Sequence, residues 1–430
     1  MKAIVVGAGI VGVTAAWFLR REGFDVLVVE RRDDVAQETS HANAGVIAPA
    51  YVTPWAAPGM PGKILRQASA ADSPVVFRPR ASLRQWRWIG QWLRACDPAQ
   101  YAINKQVMQR LAHFSRQVLH ELRDTLSIEY GARTGYLQLL RTERDRALVE
   151  PALAVLRRAG VEHRELGAAQ CEAIEPALRA RRAPLFGGVH LAQDESGDCE
   201  RFARALREHC ERSGVRFAFG VRATAFERAG RGADTIAALA VRLPDGRAES
   251  WRADCFVLAS GVDSVALAAP LGVRLPLYPV SGYSITLAVD DDGAAPRAAL
   301  MDEAYKTAIV RMGRLVRVAG TAELAGWQST VREASIRTLR RVLADWFPGA
   351  GDAGRACAWV GRRPMTPHGA ALLGPTPFAN LLLDVGHGST GWAMACGSAA
   401  IVAALAAGRA PPLDLEGLTL AHRSRPGPRG

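Results

Sequence analysis

The sequence predicts an α/β fold in which two structural layers interleave along the chain. A buried strand at 2–6, a helix at 10–21 and a second buried strand at 25–30 form an opening strand–helix–strand unit. The chain closes with strand 381–385 and a helix at 388–407, whose small residues suit the same layer. Residues 276–318 instead alternate apolar and polar side chains, which is typical of an antiparallel sheet and predicts the second layer.

The segments between these elements have distinct patterns of their own. Residues 40–63 are rich in Ala, Gly and Pro, and their three prolines exclude a long helix, so we expect an ordered loop against a ligand or a partner. Residues 82–127 have helical periodicity, with a break near Asp97-Pro98. Further strands are expected at 135–140, 215–219, 221–228, 236–243 and 253–259, and further helices at 142–159, 199–213 and 329–346.

Composition excludes several classes of protein. The 430 residues are 49% hydrophobic, and the net charge of +12 is spread without a run of five like charges, so no nucleic-acid-binding tail is expected. The charge would suit anionic lipid or an acidic partner, and a GC-rich genome that favours Arg explains it equally well. Seven cysteines without a C-x-x-C pair predict no disulfide framework and no metal site. Without a secretory signal or a spanning apolar stretch, the chain is expected to be cytoplasmic.

The first strand ends in a G-x-G-x-x-G motif formed by Gly7, Ala8, Gly9, Ile10, Val11 and Gly12. Gly7 allows a tight turn, Gly9 lets a pyrophosphate approach the backbone, and Gly12 lets helix pack on strand. Glu30 ends the second strand about 20 residues further on, where an acid binds the ribose of an adenosine and disfavours a 2′-phosphate. The motif therefore predicts a Rossmann-type dinucleotide site.

Two features favour FAD over NAD at this site. After Glu30 the chain enters the Gly/Ala/Pro-rich loop where an NAD domain would continue to a third strand. Glycine-bearing strand ends recur at 254–261 and 381–392, and the second begins a helix whose N-terminus could face the flavin pyrimidine edge. The residues expected to contact FAD are Gly7, Gly9, Ile10, Val11, Gly12, Glu30, Arg31, Ser40, Asn43, Ala44, Gly45, Val221, Ser260, Gly261, Gly386, Gly388, Thr390, Gly391 and Trp392.

Longer motifs carry a family resemblance that covers nearly the whole chain in order. They lie at 38–45, 54–59, 134–139, 194–199, 278–286, 363–367 and 386–392. With these motifs the sequence resembles the bacterial D-amino acid dehydrogenases, within the wider glycine oxidase and D-amino acid oxidase-like group of FAD-dependent oxidoreductases.

The resemblance implies a Rossmann-type FAD-binding domain interleaved with a substrate domain built on an antiparallel sheet. We place the FAD-binding domain at 1–45, 190–265 and 355–410, and the substrate domain at 46–189 and 266–354. The implied reaction is oxidative deamination of a D-amino acid such as D-alanine to a 2-oxo acid and ammonia. The implied partner is a respiratory electron acceptor such as a quinone at the membrane.

Two local departures qualify the resemblance. His368 stands where the family motif usually has Asp, which leaves the exact substrate open. Some relatives attach flavin through a Cys just before this motif, but residues 360–363 contain none, so non-covalent FAD is expected.

Oxidation of an amino acid requires a cation for its carboxylate, a neutral amine and a Cα–H aimed at the flavin. Arg363 matches the substrate arginine of relatives and is the expected carboxylate clamp, with Arg362 as the alternative. Tyr283 and Tyr305 could donate to the carboxylate, line the amine pocket or serve only in packing. His387 lies between two glycines, where it could orient the flavin or leave that task to the backbone.

Other interpretations stay open at the level of sequence. Residues 84–94 mix Arg and Trp, and Trp88 and Trp92 share a helix face that could lie on a membrane surface, although a core role is favoured. A peripheral position on the inner face of the plasma membrane is the alternative to a purely cytoplasmic location. The alternative functions are an oxidase or dehydrogenase of glycine, sarcosine or a cyclic imino acid such as D-hydroxyproline, a non-catalytic flavin electron-transfer subunit, and an NAD-linked dehydrogenase.

Overall fold

The structure is a computed structural model, and it describes residues 1–67, 73–230, 232–327 and 330–421. Its helices are α1 (Ile10–Arg21), α2 (Met60–Gln67), α3 (Leu83–Ala95), α4 (Pro98–Leu126), α5 (Glu143–Arg158), α6 (Ala168–Ile174), α7 (Cys199–Arg212), α8 (Ser264–Ala268), α9 (Glu333–Trp346) and α10 (Gly391–Ala406). No helix in these ranges is both long and apolar enough to cross a bilayer.

The strands form three sheets. They are β1 (Lys2–Val6), β2 (Asp25–Val29), β3 (Val46–Ile47), β4 (Val75–Phe77), β5 (Arg133–Leu140), β6 (Arg164–Gly167), β7 (Gly187–Ser196), β8 (Arg216–Ala218), β9 (Arg222–Arg228), β10 (Ile236–Arg242), β11 (Ala248–Trp251), β12 (Cys255–Leu258), β13 (Tyr278–Ala288), β14 (Ala299–Asp302), β15 (Thr307–Met312), β16 (Leu315–Leu324), β17 (Cys357–Met365), β18 (Leu372–Pro375) and β19 (Leu381–Val385).

The first sheet has six strands in the order β18-β19-β12-β1-β2-β8 and is parallel except at β18. Its central strands are nearly continuous runs of buried apolar residues, as expected for a parallel sheet covered on both faces. Helices α1, α7 and α10 pack together on one face. The small antiparallel sheet β11-β10-β9 and helix α8 cover the other.

Helix α10 lies unusually close to α4. A Cβ on Gly397 would lie only 2.8 Å from the Cα of Ser115, and the Gly397 amide donates to the Ser115 hydroxyl over 3.0 Å. The small residues of α10 thus bring α4, which the sequence assigns to the second layer, against the first layer.

The largest sheet has the order β17-β13-β16-β15-β14-β5-β7-β3, with β4 beside β16 and β6 beside β7. Its pairs are antiparallel apart from β5 with β14 and β4 with β16, so the predicted antiparallel sheet is mixed at two places. Helix α9 packs on one face, against a core that includes Ile285 and Val318. The opposite face turns toward the carboxyl ends of the parallel strands.

Most predicted elements are confirmed, and the exceptions have local causes. The break at Asp97 is real, because its carboxylate caps α4 by accepting from the Ala99 and Gln100 amides. The predicted loop 40–63 includes the short strand β3, and its last residues begin α2, whose first turn accommodates Pro61. Strands β4, β7, β11 and β18 were not predicted, and the first position of predicted helix 329–346 lies outside the described residues.

The predicted domain division can be compared with sheet membership. Strands β1, β2, β8, β12, β18 and β19 all fall in the segments assigned to the FAD-binding domain. Strand β17 falls in the same segments but pairs with β13 in the largest sheet, and β7 pairs there with β5. The division itself stays a prediction.

Candidate active site

A cavity of about 800 Å³ lies where the carboxyl ends of β1, β2, β12 and β19 face the largest sheet. Ligands of open α/β sheets bind at this edge. Of the residues predicted for FAD, all but Gly12 line the cavity, and so do three of the four predicted catalytic residues, Arg363, Tyr283 and His387. The structure therefore brings together residues from the start, middle and end of the chain.

The glycine loop is shaped as its motif requires. Gly7 has φ +106°, and a Cβ there would lie 2.7 Å from the Ala259 carbonyl oxygen. A Cβ on Gly12 would overlap the Gly7 carbonyl, so Gly12 acts through packing and does not itself line the cavity. The Ser40 hydroxyl accepts from the Ile10 amide over 3.1 Å, which fixes the start of α1 against the loop after β2. The N-terminus of α1 thus opens on the cavity.

Glu30 lies at the end of β2, beside this loop. Its carboxylate accepts from the Ala8 amide over 2.7 Å and from the Arg32 amide over 2.9 Å, which fixes its orientation beside the cavity. The Arg31 guanidinium forms ion pairs with Glu38 at 2.8 Å and Asp263 at 2.5 Å. These contacts join the ends of β2 and β12 around the proposed adenosine end of the site.

The second glycine-rich strand end follows β19, which lies on the other side of β1 from β2 in the parallel sheet, at the same carboxyl edge. Gly386 and Gly388 have φ of +82° and +58°, and a Cβ on Gly386 would lie 2.8 Å from the Thr366 methyl group. Residues 386–392 line the cavity as the chain turns into α10. A second helix therefore begins at the cavity, as its sequence predicts, with its positive dipole end toward any ligand there.

The His387 ring is held within the parallel layer. Its Nε2 lies 3.0 Å from the Ser398 hydroxyl and 3.3 Å from an Asp384 carboxylate oxygen, and the side chain is buried. Burial raises the pKa of Asp384. These contacts tie the glycine turn to α10, so the ring has a structural task whether or not it also influences a flavin.

Arg363 carries a charge that no described residue neutralises. Its guanidinium lies against the backbone of Gly282, where a Cβ would overlap it. It makes no hydrogen bond or ion pair within the described ranges, and burial lowers its pKa to about 10. A partly desolvated cation in a cavity, with no described anion opposite it, is a ready binding site for an anion.

The neighbouring Arg362 has partners of its own. Its guanidinium donates to the Trp327 carbonyl over 3.3 Å and lies 3.8 Å from the Glu38 carboxylate. Of the two adjacent arginines, Arg363 is therefore the better candidate for a carboxylate clamp.

The two predicted tyrosines have different positions. Tyr283 lines the cavity, but its hydroxyl donates to the buried Glu323 carboxylate, which in turn pairs with Arg78. Tyr305 does not line the cavity; its ring lies 4.8 Å from the guanidinium carbon of Arg141. The structure therefore places Tyr283 in the wall and leaves Tyr305 outside.

Sequence reasoning missed a polar stripe on α4 that fixes the loop over the cavity. The Tyr101 hydroxyl lies 2.8 Å from that of Thr53, the Lys105 ammonium donates to the Val52 carbonyl over 3.0 Å, and the Gln109 amide donates to the Ala50 carbonyl over 3.0 Å. These three positions are four residues apart and therefore lie on one face of α4. A line of polar residues on an otherwise apolar helix face was the sequence pattern that could have predicted these contacts.

The same loop is held from its other side by Asp194 on β7. Its carboxylate accepts from the amides of Ala50 and Tyr51 over 3.2 Å each, within the motif 194–199. Burial raises the pKa of Asp194 to about 7 and lowers the pKa of Lys105 to about 7. The predicted ordered loop is thus real over residues 50–53, and buried polar groups order it.

The Trp-containing helix and the cysteines also have definite positions. Trp88 and Trp92 are buried against Trp55, which confirms their core interpretation. No described cysteine lines the cavity, and no described group of three His, Cys, Asp or Glu side chains is arranged to hold a metal.

A dinucleotide loop that opens on a cavity, with an arginine in it that has no described partner, defines a class of protein: a dinucleotide-dependent enzyme. The family model described as "DAO: FAD dependent oxidoreductase" matches residues 2–405. The chain belongs to this family. The predicted FAD dependence is therefore confirmed.

Curated relatives support the resemblance over the full length. The chain is 42% identical to a D-amino acid dehydrogenase of Bradyrhizobium diazoefficiens, covering 98% of this chain and 100% of the relative. It is 45% identical to one of Cereibacter sphaeroides, covering 96% and 93%. The predicted resemblance is confirmed.

Solved structures support the fold. Glycine oxidase of Geobacillus kaustophilus matches with a TM-score of 0.74 at 18% identity, over 97% of this chain and 98% of that one. L-proline dehydrogenase of P. horikoshii matches with a TM-score of 0.72 at 15% identity, over 98% and 97%. At these identities the likeness concerns the fold alone.

Proposed function

We propose that the chain is an FAD-dependent dehydrogenase that deaminates D-amino acids with small side chains, such as D-alanine, to 2-oxo acids and ammonia. The observation that carries the proposal is the Arg363 guanidinium, half-buried and without a described partner, in the cavity onto which the glycine loop opens. The curated relatives, which are named for D-amino acids, supply the substrate class.

The residues present fit FAD. The glycine loop and the start of α1 suit a pyrophosphate, Glu30 suits the adenosine ribose, and the turn at 386–391 suits the pyrimidine edge of a flavin. Bound FAD supplies the acceptor for the two electrons that leave the substrate. We propose that it is held non-covalently, since no described cysteine lines the cavity.

The chain's own residues bind and orient the substrate. A planar guanidinium can hold a carboxylate through two parallel hydrogen bonds, which fixes the direction of the Cα–H bond. The Tyr283–Glu323 contact stabilises one wall, and the loop at 50–53, held by Lys105 and Asp194, stabilises another. The walls hold the substrate in a fixed orientation, and such orientation accounts for much of the rate in enzymes that bind their reactants rigidly.

Anaerobic mixing with a panel of D- and L-amino acids tests the proposal directly. D-alanine should bleach the flavin absorbance without any partner protein, whereas L-alanine should not. Bleaching only by glycine, sarcosine or a cyclic imino acid would show that the substrate belongs to that class instead. If no amine bleaches the flavin, the protein is not an amine-oxidising enzyme. Acid precipitation should release all the flavin into the supernatant; a yellow pellet would reject non-covalent binding.

We further infer that the electrons pass to a respiratory quinone and that the chain contacts the inner face of the plasma membrane peripherally. The net charge of +12 supports contact with an anionic surface. Turnover with a soluble quinone or dye should greatly exceed turnover with oxygen alone. Equal rates with air and with dye would reclassify the protein as an oxidase.

A further inference from the structure

Helix α3 has a second apolar stripe on its outer side. Its inner stripe includes the buried Trp88 and Trp92, and its outer stripe consists of Leu83, Trp86 and Leu93, which are 76%, 49% and 48% exposed. Spacings of three and seven residues place these three side chains on one face, turned away from the buried one. Packing against the protein core accounts for the inner stripe of this helix, but it does not account for the apolar side chains of the outer stripe.

The exposed stripe continues onto β4, and helix α2, which contacts β4, carries a further exposed apolar side chain. The Phe77 ring of β4 is exposed and lies 5.8 Å from the Trp86 ring, and Leu65 of α2 is 77% exposed. Five of the eleven exposed large apolar side chains in the described residues thus fall between positions 65 and 93. We name Leu65, Phe77, Leu83, Trp86 and Leu93 the outer patch. Clustered apolar exposure of this kind marks an interaction surface.

The segment that carries most of the outer patch has charges of one sign only, and Arg78 within it pairs with the buried Glu323 of β16. Residues 73–96 contain five arginines and no Asp or Glu, and all five arginines, Arg78, Arg80, Arg84, Arg87 and Arg94, are exposed. Arg87 and Arg94 form no ion pair with any residue that the structure describes. Long arginine side chains can extend from an apolar surface to anionic headgroups.

We propose that the outer patch docks the protein on an anionic lipid bilayer. The proposal specifies the surface for the peripheral membrane contact inferred above, and its biological role rests on that proposed function. Exposed Leu, Phe and Trp side chains enter the interface, and the arginines bind the lipid phosphates. The absence of any acidic side chain from residues 73–96 favours a lipid surface over a second copy of this strongly basic chain.

The docking elements also form walls of the cavity. Met60, Lys63 and Ile64 on α2 line it, all within five residues of the exposed Leu65. On the inner side of α3, the Trp88 indole donates to the Met365 carbonyl over 3.0 Å, two residues after Arg363. Docking on this side brings the bilayer next to the wall of the active site, where an apolar quinone could reach it from the membrane.

Vesicle binding by the full FAD-loaded chain tests the outer patch. Wild-type protein should bind phosphatidylcholine vesicles that contain phosphatidylglycerol, and added salt should weaken the binding. The double variant Leu83→Glu/Leu93→Glu should bind at least about 100-fold more weakly, since each lost apolar contact accounts for roughly tenfold. Arg87→Gln and Arg94→Gln should each weaken binding about fivefold.

A matched control keeps the result specific to this surface. Phe186→Glu/Leu315→Glu replaces two exposed apolar side chains outside the outer patch with the same charge change, and it should bind vesicles like the wild type. All variants should be reduced by D-alanine in solution at the wild-type rate, because none of these side chains lines the cavity.

Several outcomes would overturn the proposal. They are equal binding to pure phosphatidylcholine, no binding by the wild type, and wild-type binding by the Leu83→Glu/Leu93→Glu variant. Wild-type self-association that this variant abolishes, without vesicle binding, would identify a second copy as the occupant. Failure of D-alanine to bleach wild-type flavin would instead refute the proposed function and leave the docking result standing.

Discussion

Replacing Arg363 by Leu should stabilise the protein while it disables the proposed reaction. Burial lowers the pKa of Arg363 to about 10, so at every pH below that value the folded protein still carries the charge and holds it at a free-energy cost that the unfolded chain does not have. At about 1.4 kcal/mol per pKa unit, discounted for the part of the side chain that solvent still reaches, the penalty is on the order of 1–3 kcal/mol. Leucine removes the charge, and the free energy of unfolding at neutral pH should rise by a similar amount.

The same substitution should slow reduction of the flavin. Loss of one partner from a desolvated charge pair costs about 2–5 kcal/mol, which corresponds to roughly 30- to 5,000-fold in affinity for the carboxylate or in reduction rate. Rapid anaerobic mixing with D-alanine measures the rate, and urea unfolding of the same preparation measures stability. Arg363→Lys should recover only part of the activity, because an ammonium group cannot reproduce the planar fork.

Arg362→Leu provides the contrast within the same strand. Because the Arg362 guanidinium contacts the Trp327 carbonyl and lies near Glu38, its loss should lower stability and leave most of the reduction rate intact. Flavin reduction in Arg363→Leu at the wild-type rate and substrate concentration would contradict the assignment of the clamp. Unfolding of this variant at a lower urea concentration than the wild type would contradict the expected gain in stability.

Three further perturbations test other parts of the site. Gly282→Ala should displace the Arg363 guanidinium and raise the D-alanine concentration needed for half-maximal reduction while FAD content stays unchanged; an unchanged concentration would contradict the contact. Gly9→Val should abolish FAD retention, because its side chain fills the approach to the pyrophosphate, and a variant purified with stoichiometric FAD would show the site is elsewhere. Burial lowers the pKa of Lys105 to about 7, so between about pH 7 and 10 only the unfolded chain holds this proton. Urea unfolding across that window should show wild-type stability rising with pH relative to Lys105→Met, and parallel profiles would argue against a buried ammonium.

Local pattern was enough to predict the parallel layer and the loop at its centre. The tight turn at Gly7, the close packing at Gly12 and the acid at Glu30 depend on neighbours within one strand–helix–strand unit. Such a unit has few ways to fold, so spacing in the sequence nearly determines its geometry. The family resemblance added the substrate class, which no local pattern contains.

Long-range packing decided what local pattern left open. Arg362 and Arg363 are adjacent in sequence, yet only the pairing of β17 with β13 places one against Gly282 and the other near Trp327. Tyr283 and Tyr305 both belong to the antiparallel region, but only Tyr283 reaches the cavity.

The same division applies to the helices that surround the site. The sequence determined that α3 is a helix rich in Trp and Arg and that α4 begins after Asp97. Only the tertiary structure decided that Trp88 is buried while Trp86 is exposed, and that the polar line through Lys105 holds the loop above the cavity. Periodicity defines the faces of a helix, but which face is buried depends on surfaces contributed by residues far away in the chain.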